Sequence, residues 1–340
     1  MLNVAINGLG RIGRATLKIV LDKPNLRLTA VNDLLAADNL AYLLKFDTVY
    51  GRWTRAVSAH EKVLNIDGKN YPVLRERDPA KLPWRQMGVD VVFECTGAFR
   101  DRDDLAKHIE AGARFVILSA PAKGEAVPTV IHAVNGLSGN PSQIVSCASC
   151  TTNCITPVVE IMARRIGVRK ATMTTIHAYT ANQSIVDSGS KDFRRGRAGA
   201  ANLVPASTGA AVATTRALPE FRGKFDGVAV RAPVPVGSLA DIVFIADRAT
   251  SVDEVNRLFR EEAASERYRE VLAVTEEPIV SSDIIQQAHA SIVDLSITQV
   301  VDKDLVKVMS WYDNEWGYAN QMVRESLQFS GTDSQSKDSR

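Results

Sequence analysis

The chain has 340 residues, 45% apolar and 24% charged, the proportions of one large or two cooperating globular domains, which excludes disorder as the main state. Lys plus Arg (41) against Asp plus Glu (39) leaves a net charge of +2, so no whole-chain imbalance favours nucleic acid or an anionic membrane. No apolar run approaches the roughly 18 residues of a spanning helix, and no basic-then-apolar leader follows Met1. A cytoplasmic location is therefore expected, with no membrane partner. The cysteines stand at 95, 147, 150 and 154, too few for a disulfide scaffold and crowded enough to point to chemistry.

In chain order, Leu2–Asn7 predicts a strand, Arg11–Leu21 a helix, Leu26–Asn32 a strand, Asn39–Lys45 a helical turn or two, Val89–Glu94 a buried strand, Asp101–Ala111 a helix and Phe115–Leu118 a strand. Strands separated by helices predict a doubly wound parallel sheet. The texture then changes. A helix is expected over Thr151–Ile166, kinked at Pro157, followed by strands at Lys170–Ile176, Gly227–Val230, Ala240–Ala246 and Leu305–Trp311 and a helix Val252–Ala264 capped by Ser251. Long strands with few helices between them predict an α+β domain with a mostly antiparallel sheet. Residues 331–340 carry no large apolar side chain and are expected to form a disordered tail.

Between the first strand and first helix lies Gly8-Leu9-Gly10-Arg11-Ile12-Gly13, a G-x-G-x-x-G in the strand–turn–helix context that gives it meaning. Gly8 permits the tight turn, Gly10 lets backbone approach a pyrophosphate, Gly13 lets helix and strand pack, and Asp33 follows the second strand where a carboxylate accepts ribose hydroxyls. A Rossmann-type dinucleotide-binding domain is expected. Ser149-Cys150-Thr151-Thr152-Asn153-Cys154 opens a helix, where the dipole favours a thiolate, so Cys150 is the candidate nucleophile. Cys154, one turn on, is expected in the core, and Cys95 at a strand end. His177, ending its strand, is the candidate base, whereas His60, His108, His132 and His289 read as ordinary surface or turn residues. Cys147-Ala-Ser-Cys150 lacks a second ligand pair, so no metal is expected.

These segments, with Ser119-Ala120-Pro121-Ala122-Lys123, Ser207-Thr208-Gly209-Ala210-Ala211 and Trp311-Tyr312-Asp313-Asn314-Glu315-Trp316-Gly317-Tyr318, make the chain similar to phosphorylating glyceraldehyde-3-phosphate dehydrogenases from residue 2 to about 328. The resemblance implies a cysteine thiohemiacetal and thioester on Cys150 with His177 as base. It implies that Thr180 and Arg231 hold the substrate phosphate, and that Ser149, Thr151, Arg195, Thr208 and Gly209 hold the attacking inorganic phosphate. Gly10, Arg11, Ile12, Arg77, Thr96, Ser119, Asn314 and Tyr318 would line the cofactor. It further implies an NAD(P)-binding domain over 1–149, a catalytic domain over 150–313 with an S-loop at about 178–200, and a C-terminal helix, about 314–330, packing back on the first domain. The basic run Lys191–Arg197 falls in that loop and reads as an inter-subunit segment of a homotetramer rather than a nucleic-acid site.

Several positions depart from the family pattern. Asn182 stands where the family usually has Asp, Ala232–Ser238 differs from Val-Pro-Thr-Pro-Asn-Val-Ser, Tyr50 replaces His and Cys147 replaces Asn. Asp33 resembles NAD-preferring members, while Ser188 and Ser190 resemble members that accept NADP, so NAD with NADP tolerated is expected. Erythrose-4-phosphate dehydrogenase and a non-catalytic binding relative are the rival readings.

Overall fold

The alternation of β-branched runs with amphipathic stretches builds two compact units in the computed structural model, which describes residues 1–136 and 142–329. The expected tail lies outside the described residues. The first unit comprises Met1–Val130, Gly136–Ala148 and the chain from Ala319; the second comprises Ile131–Asn135 and Ser149–Tyr318.

The first unit contains β1 (Leu2–Asn7), α1 (Arg11–Leu21), β2 (Leu26–Asn32), α2 (Ala37–Lys45), β3 (Val57–His60), β4 (Val63–Ile66), β5 (Lys69–Leu74), β6 (Val91–Glu94), α3 (Arg102–Glu110), β7 (Phe115–Leu118) and β8 (Ile144–Ser146). Its sheet runs β8-β7-β6-β1-β2-β5-β4-β3, parallel from β8 to β5 and antiparallel thereafter. The parallel strands are buried on both faces, as helix-covered sheets must be: β6 and β7 have no exposed residue. The antiparallel extension was not expected from sequence. It turns on Asp67-Gly68, both at positive φ, a hairpin signal that the reading passed over. Phe329, fully buried, stacks on Phe115 at 4.0 Å between ring centres, so the last described residue belongs to this unit's core.

The second unit contains α4 (Cys150–Arg165), β9 (Val168–Ala178), β10 (Val204–Ser207), α5 (Ala210–Ala217), β11 (Phe225–Ala232), β12 (Ser238–Ala246), α6 (Val252–Ala264), β13 (Leu272–Thr275), β14 (Ser291–Asp294), β15 (Gln299–Val301) and β16 (Leu305–Tyr312). Its sheet runs β10-β11-β9-β12-β16-β14-β13, with β15 beside β16; β9 with β11 and β13 with β14 are the parallel pairs. Ala240, Ile242, Phe244 and Ala246 of β12 pack with Ile155, Val158, Val159 and Met162 of α4 and with Val255, Leu258 and Phe259 of α6. Alternation puts Leu239, Asp241, Val243 and Ile245 on the opposite, half-exposed face with Lys307, Met309 and Trp311. The helix α4 runs on through Pro157, and α7 (Trp316–Gln328) closes the described chain.

Candidate active site

Gly8, at φ +92°, makes the turn after β1, and a Cβ there would lie 2.8 Å from the Thr96 amide nitrogen. At Gly13 a Cβ would meet the Gly8 carbonyl oxygen at 1.9 Å, so only glycine lets α1 sit on its turn. Gly10 instead faces open space, the room a pyrophosphate needs above free helix N–H groups. Asp33 is fixed at the rim, its carboxylate accepting from Leu9 N at 2.7 Å and Leu35 N at 2.9 Å. A cavity of about 430 Å³ is lined by Gly8, Gly10, Asp33, Arg77 and Thr96 of the expected residues, together with Asn7, Asn32 and Phe99. This cradle fits a dinucleotide.

Arg11, Ile12, Gly13 and Ser119 do not line that cavity. The Arg11 guanidinium is turned to Asp47 at 2.6 Å and over the Tyr50 ring, so what this residue offers the turn is its backbone N–H. Ser119 lies behind the cavity, bonding to the Cys95 thiol, which burial pushes up to about 12. Cys95 is thus an inert filler.

Ala148, the last residue of the first unit before the chain enters the second, takes φ +53°, and Ser149 then caps α4 in the second, its Oγ accepting from Thr152 N at 3.2 Å. Cys150 is the first helical residue, and its Sγ lies 3.4 Å from Nε2 of His177. His177 stands inside β9 rather than beyond its end, because the strand runs to Ala178. In the parallel register of β9 and β11 its partner is Arg231, which explains why that guanidinium reaches the imidazole Nδ1 and donates to Ala178 O at 3.1 Å. Ala178 O lies 2.7 Å from Nδ1 and, as a carbonyl, accepts that nitrogen's proton, which leaves Nε2 as the basic nitrogen facing the thiol.

Burial pushes the Cys150 thiol up, against the Arg231 charge and the Thr151 hydroxyl, and pushes His177 down to about 3, with Arg231 adding to the fall. Each shift measures the cost of charging one partner alone. Moving the proton from Sγ to Nε2 charges both, and their mutual attraction together with the helix N-terminus opposes that cost. Cys154 is fully buried in the core, and its thiol is pushed up to about 12.

Among the described residues, Thr180 Oγ1, Gln183 Nε2 and Arg231 Nε are buried without a hydrogen-bond partner, the condition of donors awaiting a ligand. Arg195 lies near enough to lower the pKa values of both His177 and Arg231, and its Nε is held by Asp192 at 3.1 Å. Thr208 accepts from Ala210 N at 3.1 Å, and Gly209 caps α5. The Thr151 hydroxyl is occupied by the buried Tyr312 hydroxyl at 2.8 Å, a contact the sequence reading did not anticipate. Asn314 Oδ1 accepts from Gly237 N and Ser238 Oγ, both at 3.1 Å, and Tyr318 is buried in α7.

The departures acquire reasons in part. Gly237, at φ +87°, would set a Cβ 2.3 Å from Ser281 O, so glycine is obligatory there. Asn182 is exposed. The exposed Ser188 bonds through its hydroxyl to that of Ser184 at 2.6 Å. One expectation is corrected: His108 is no surface residue but fully buried, between Trp84 and Glu94, because α3 lays it against the floor of the sheet. Among the described residues no group of three or more His, Cys, Asp or Glu is placed to hold a metal, and no helix is long and apolar enough to cross a membrane.

A nucleotide cradle in one unit and a thiol–imidazole pair at a helix N-terminus in the other define a thiol-dependent dehydrogenase. Residues 2–102 match the family described as "Glyceraldehyde 3-phosphate dehydrogenase, NAD binding domain", and residues 149–314 its C-terminal domain. Glyceraldehyde-3-phosphate dehydrogenase of Streptomyces coelicolor is 45% identical over 325 residues, covering 95% of this chain and 96% of the relative. The Zymomonas mobilis enzyme is 42% identical over 333 residues, with 97% and 98% covered, and that of Geobacillus stearothermophilus 44% over 322, with 94% and 96% covered. The chain belongs to the glyceraldehyde-3-phosphate dehydrogenase family, and is an NAD-dependent oxidoreductase that acts on an aldehyde with phosphate.

Proposed function

We propose that the chain oxidises D-glyceraldehyde 3-phosphate to 1,3-bisphosphoglycerate with NAD and inorganic phosphate, through a thiohemiacetal and a thioester on Cys150. The observation that carries this reading is the 3.4 Å approach of Sγ to His177 Nε2, beside buried, unpartnered donors of Thr180 and Arg231. The thiolate adds to the carbonyl carbon, and the N–H groups of the first turn of α4 hold the oxyanion. His177 Nε2 takes the hydroxyl proton as the thiohemiacetal is oxidised. When bound, NAD supplies the hydride acceptor. Gly8, Gly10, Asp33, Arg77 and Thr96 would hold it from the first unit, with Asn314 and Tyr318 assigned to its nicotinamide end.

Thr180 and Arg231 would hold the substrate phosphate. Ser149, Thr151, Arg195, Thr208 and Gly209 would hold the phosphate that attacks the thioester and releases the thiolate. Thr151 would do so from the first turn of α4, where its hydroxyl also bonds to Tyr312. NADP is tolerated but disfavoured, since the Asp33 carboxylate repels a 2′-phosphate and the Ser188 hydroxyl is already engaged by Ser184. A homotetramer is supported by the half-exposed face of the second sheet and by the exposed apolar Ile185, Val186, Phe193 and Leu203 in and after the S-loop. The compartment consistent with four cysteines that form no disulfide among the described residues is the cytoplasm.

A coupled assay with NAD and NADP in parallel, with and without phosphate, tests the reading. Cys150→Ser is expected to abolish turnover while NAD still binds. Turnover in that variant above a few per cent of wild type would sink the covalent route.

A further inference from the structure

Below the nucleotide cradle runs a line of buried polar side chains that the mechanism above does not use. Glu94, with no exposed surface, ends β6. Its carboxylate accepts from Asn7 Nδ2 at 2.5 Å, from the Thr96 amide at 2.8 Å and from the Thr96 hydroxyl. His108 Nε2 meets it at 3.1 Å. On the other side of the imidazole, Trp84 Nε1 lies 3.0 Å from Nδ1. An indole N–H only donates, so Nδ1 must be the acceptor and the single imidazole proton sits on Nε2, directed at Glu94. The line continues from Asn7 Oδ1 to Asn32 Nδ2 at 2.7 Å, and from Asn32 Oδ1 to the Glu76 amide at 2.9 Å.

Four of these residues, Asn7, Asn32, Glu76 and Thr96, are also walls of the dinucleotide cavity. Thr96 is moreover the residue whose backbone nitrogen sets the closest approach to Gly8. Among the described residues the carboxylate has four hydrogen-bond donors and no basic partner other than the His108 imidazole. It holds its place through the direction of those bonds, and losing one donor frees both Asn7 and Thr96 to shift.

We propose that His108 is a positioning residue for the cofactor: locked by Trp84 in its Nε2–H tautomer, it fixes Glu94, and through Glu94 it fixes the Asn7 and Thr96 walls of the dinucleotide cradle. This rests on the reading of that cavity as the NAD site. His108 touches neither substrate nor cofactor; its effect falls on cofactor binding and leaves the thiol chemistry alone.

The test uses the full-length enzyme and three variants. His108→Phe removes both bonds and is expected to raise the KM for NAD about tenfold, with kcat and the KM for the aldehyde within about twofold of wild type. His108→Gln keeps an acceptor for Trp84 and a donor for Glu94, and is expected to restore the KM for NAD to within about threefold. Should His108→Phe fail to fold, Trp84→Phe breaks only the upper bond and is expected to raise the KM for NAD severalfold, rescuing the decision. Nitrogen-15 NMR of histidine-labelled wild type, with His108 assigned from the His108→Gln spectrum, is expected to show a protonated Nε2 and a bare Nδ1. A protonated Nδ1, an unchanged KM for NAD in the folded His108→Phe or Trp84→Phe enzyme, failure of Gln to rescue, or losses spread equally over kcat and both KM values would each overturn the proposal. Absence of NAD-dependent turnover in the wild type would instead strike the reading of the cavity itself.

Discussion

Tyr312→Phe probes how the nucleophile helix is held. The Tyr312 hydroxyl is buried and bonds at 2.8 Å to the hydroxyls of Thr151, in the first turn of α4, and Thr175, in β9. Burial and the neighbouring thiols push its own pKa well up, so the phenol is neutral wherever the enzyme works. The substitution keeps the ring, and with it the edge contact to His177 at 5.9 Å, so almost no cavity is created. What is lost is two buried hydrogen bonds at about 1 kcal/mol each, roughly 2 kcal/mol in all. For a unit of this size that lowers Tm by about 4–8 °C. Iodoacetamide alkylation of Cys150 and kcat are expected to fall because the first turn of α4 loosens, while the dissociation constant for NAD stays put. Thermal melting, alkylation rates and NAD titration of the single variant and of Tyr312→Phe with Thr175→Val measure this. The double variant is expected to be no less stable than the single one, since it removes a hydroxyl already stranded. A loss below about 0.5 kcal/mol, or strict additivity, would refute the bracing role.

His177→Asn is expected to slow acylation and shift alkylation of Cys150 to higher pH; identical pH profiles would separate the imidazole from the thiol. Gly13→Ala forces a Cβ against the Gly8 carbonyl and is expected to cost both stability and NAD affinity, read by melting and by NAD titration. Asp33→Gly is expected to improve NADP use and weaken NAD use, and to lower stability as well, because Leu9 N and Leu35 N lose their acceptor. For pH dependence, burial opposes ionisation of Glu262, but hydrogen bonds from Arg164 and Arg165 hold its carboxyl below the ordinary value of 4.5. A depressed folded-state pKa stabilises above 4.5 and loses that contribution as pH falls through the folded value, so the stability gap between wild type and Glu262→Gln should narrow from pH 7 to pH 3 in urea melts. A gap that widens on acidification would reverse the assignment.

The parallel strands β1, β2, β6 and β7 and the helix α1 stood in the sequence because each is a run of one period bounded by turn residues, whereas the parallel β5 and β8 were not expected; the glycine turn was readable because sterics leave no other residue type at Gly8 and Gly13. Cys150 was readable because a helix N-terminus activates a thiol wherever it occurs. The partnership of His177 with Arg231 was not readable from local pattern, since it arises from a strand register linking residues 54 apart. His108 was misread for a related reason: α3 is so polar that nothing in its own sequence marks one imidazole as buried, and only Glu94 and Trp84, brought from elsewhere in the chain, satisfy it. Tyr312 lay in a quoted motif but had no visible task until β16 placed its hydroxyl between two threonines.

The side-by-side register of His177 and Arg231 makes the sheet a measuring device. Neighbouring strands keep a spacing of about 4.8 Å, held by a ladder of backbone bonds that no single side chain can stretch. Under the proposed roles, the base that serves the reacting carbon and the guanidinium that grips the far phosphate are rooted on backbones one such interval apart. An aldehyde would then be gripped by two side chains whose roots cannot drift apart, so any change in the length of substrate accepted falls to the reach of the Arg231 side chain and not to the backbone that carries it.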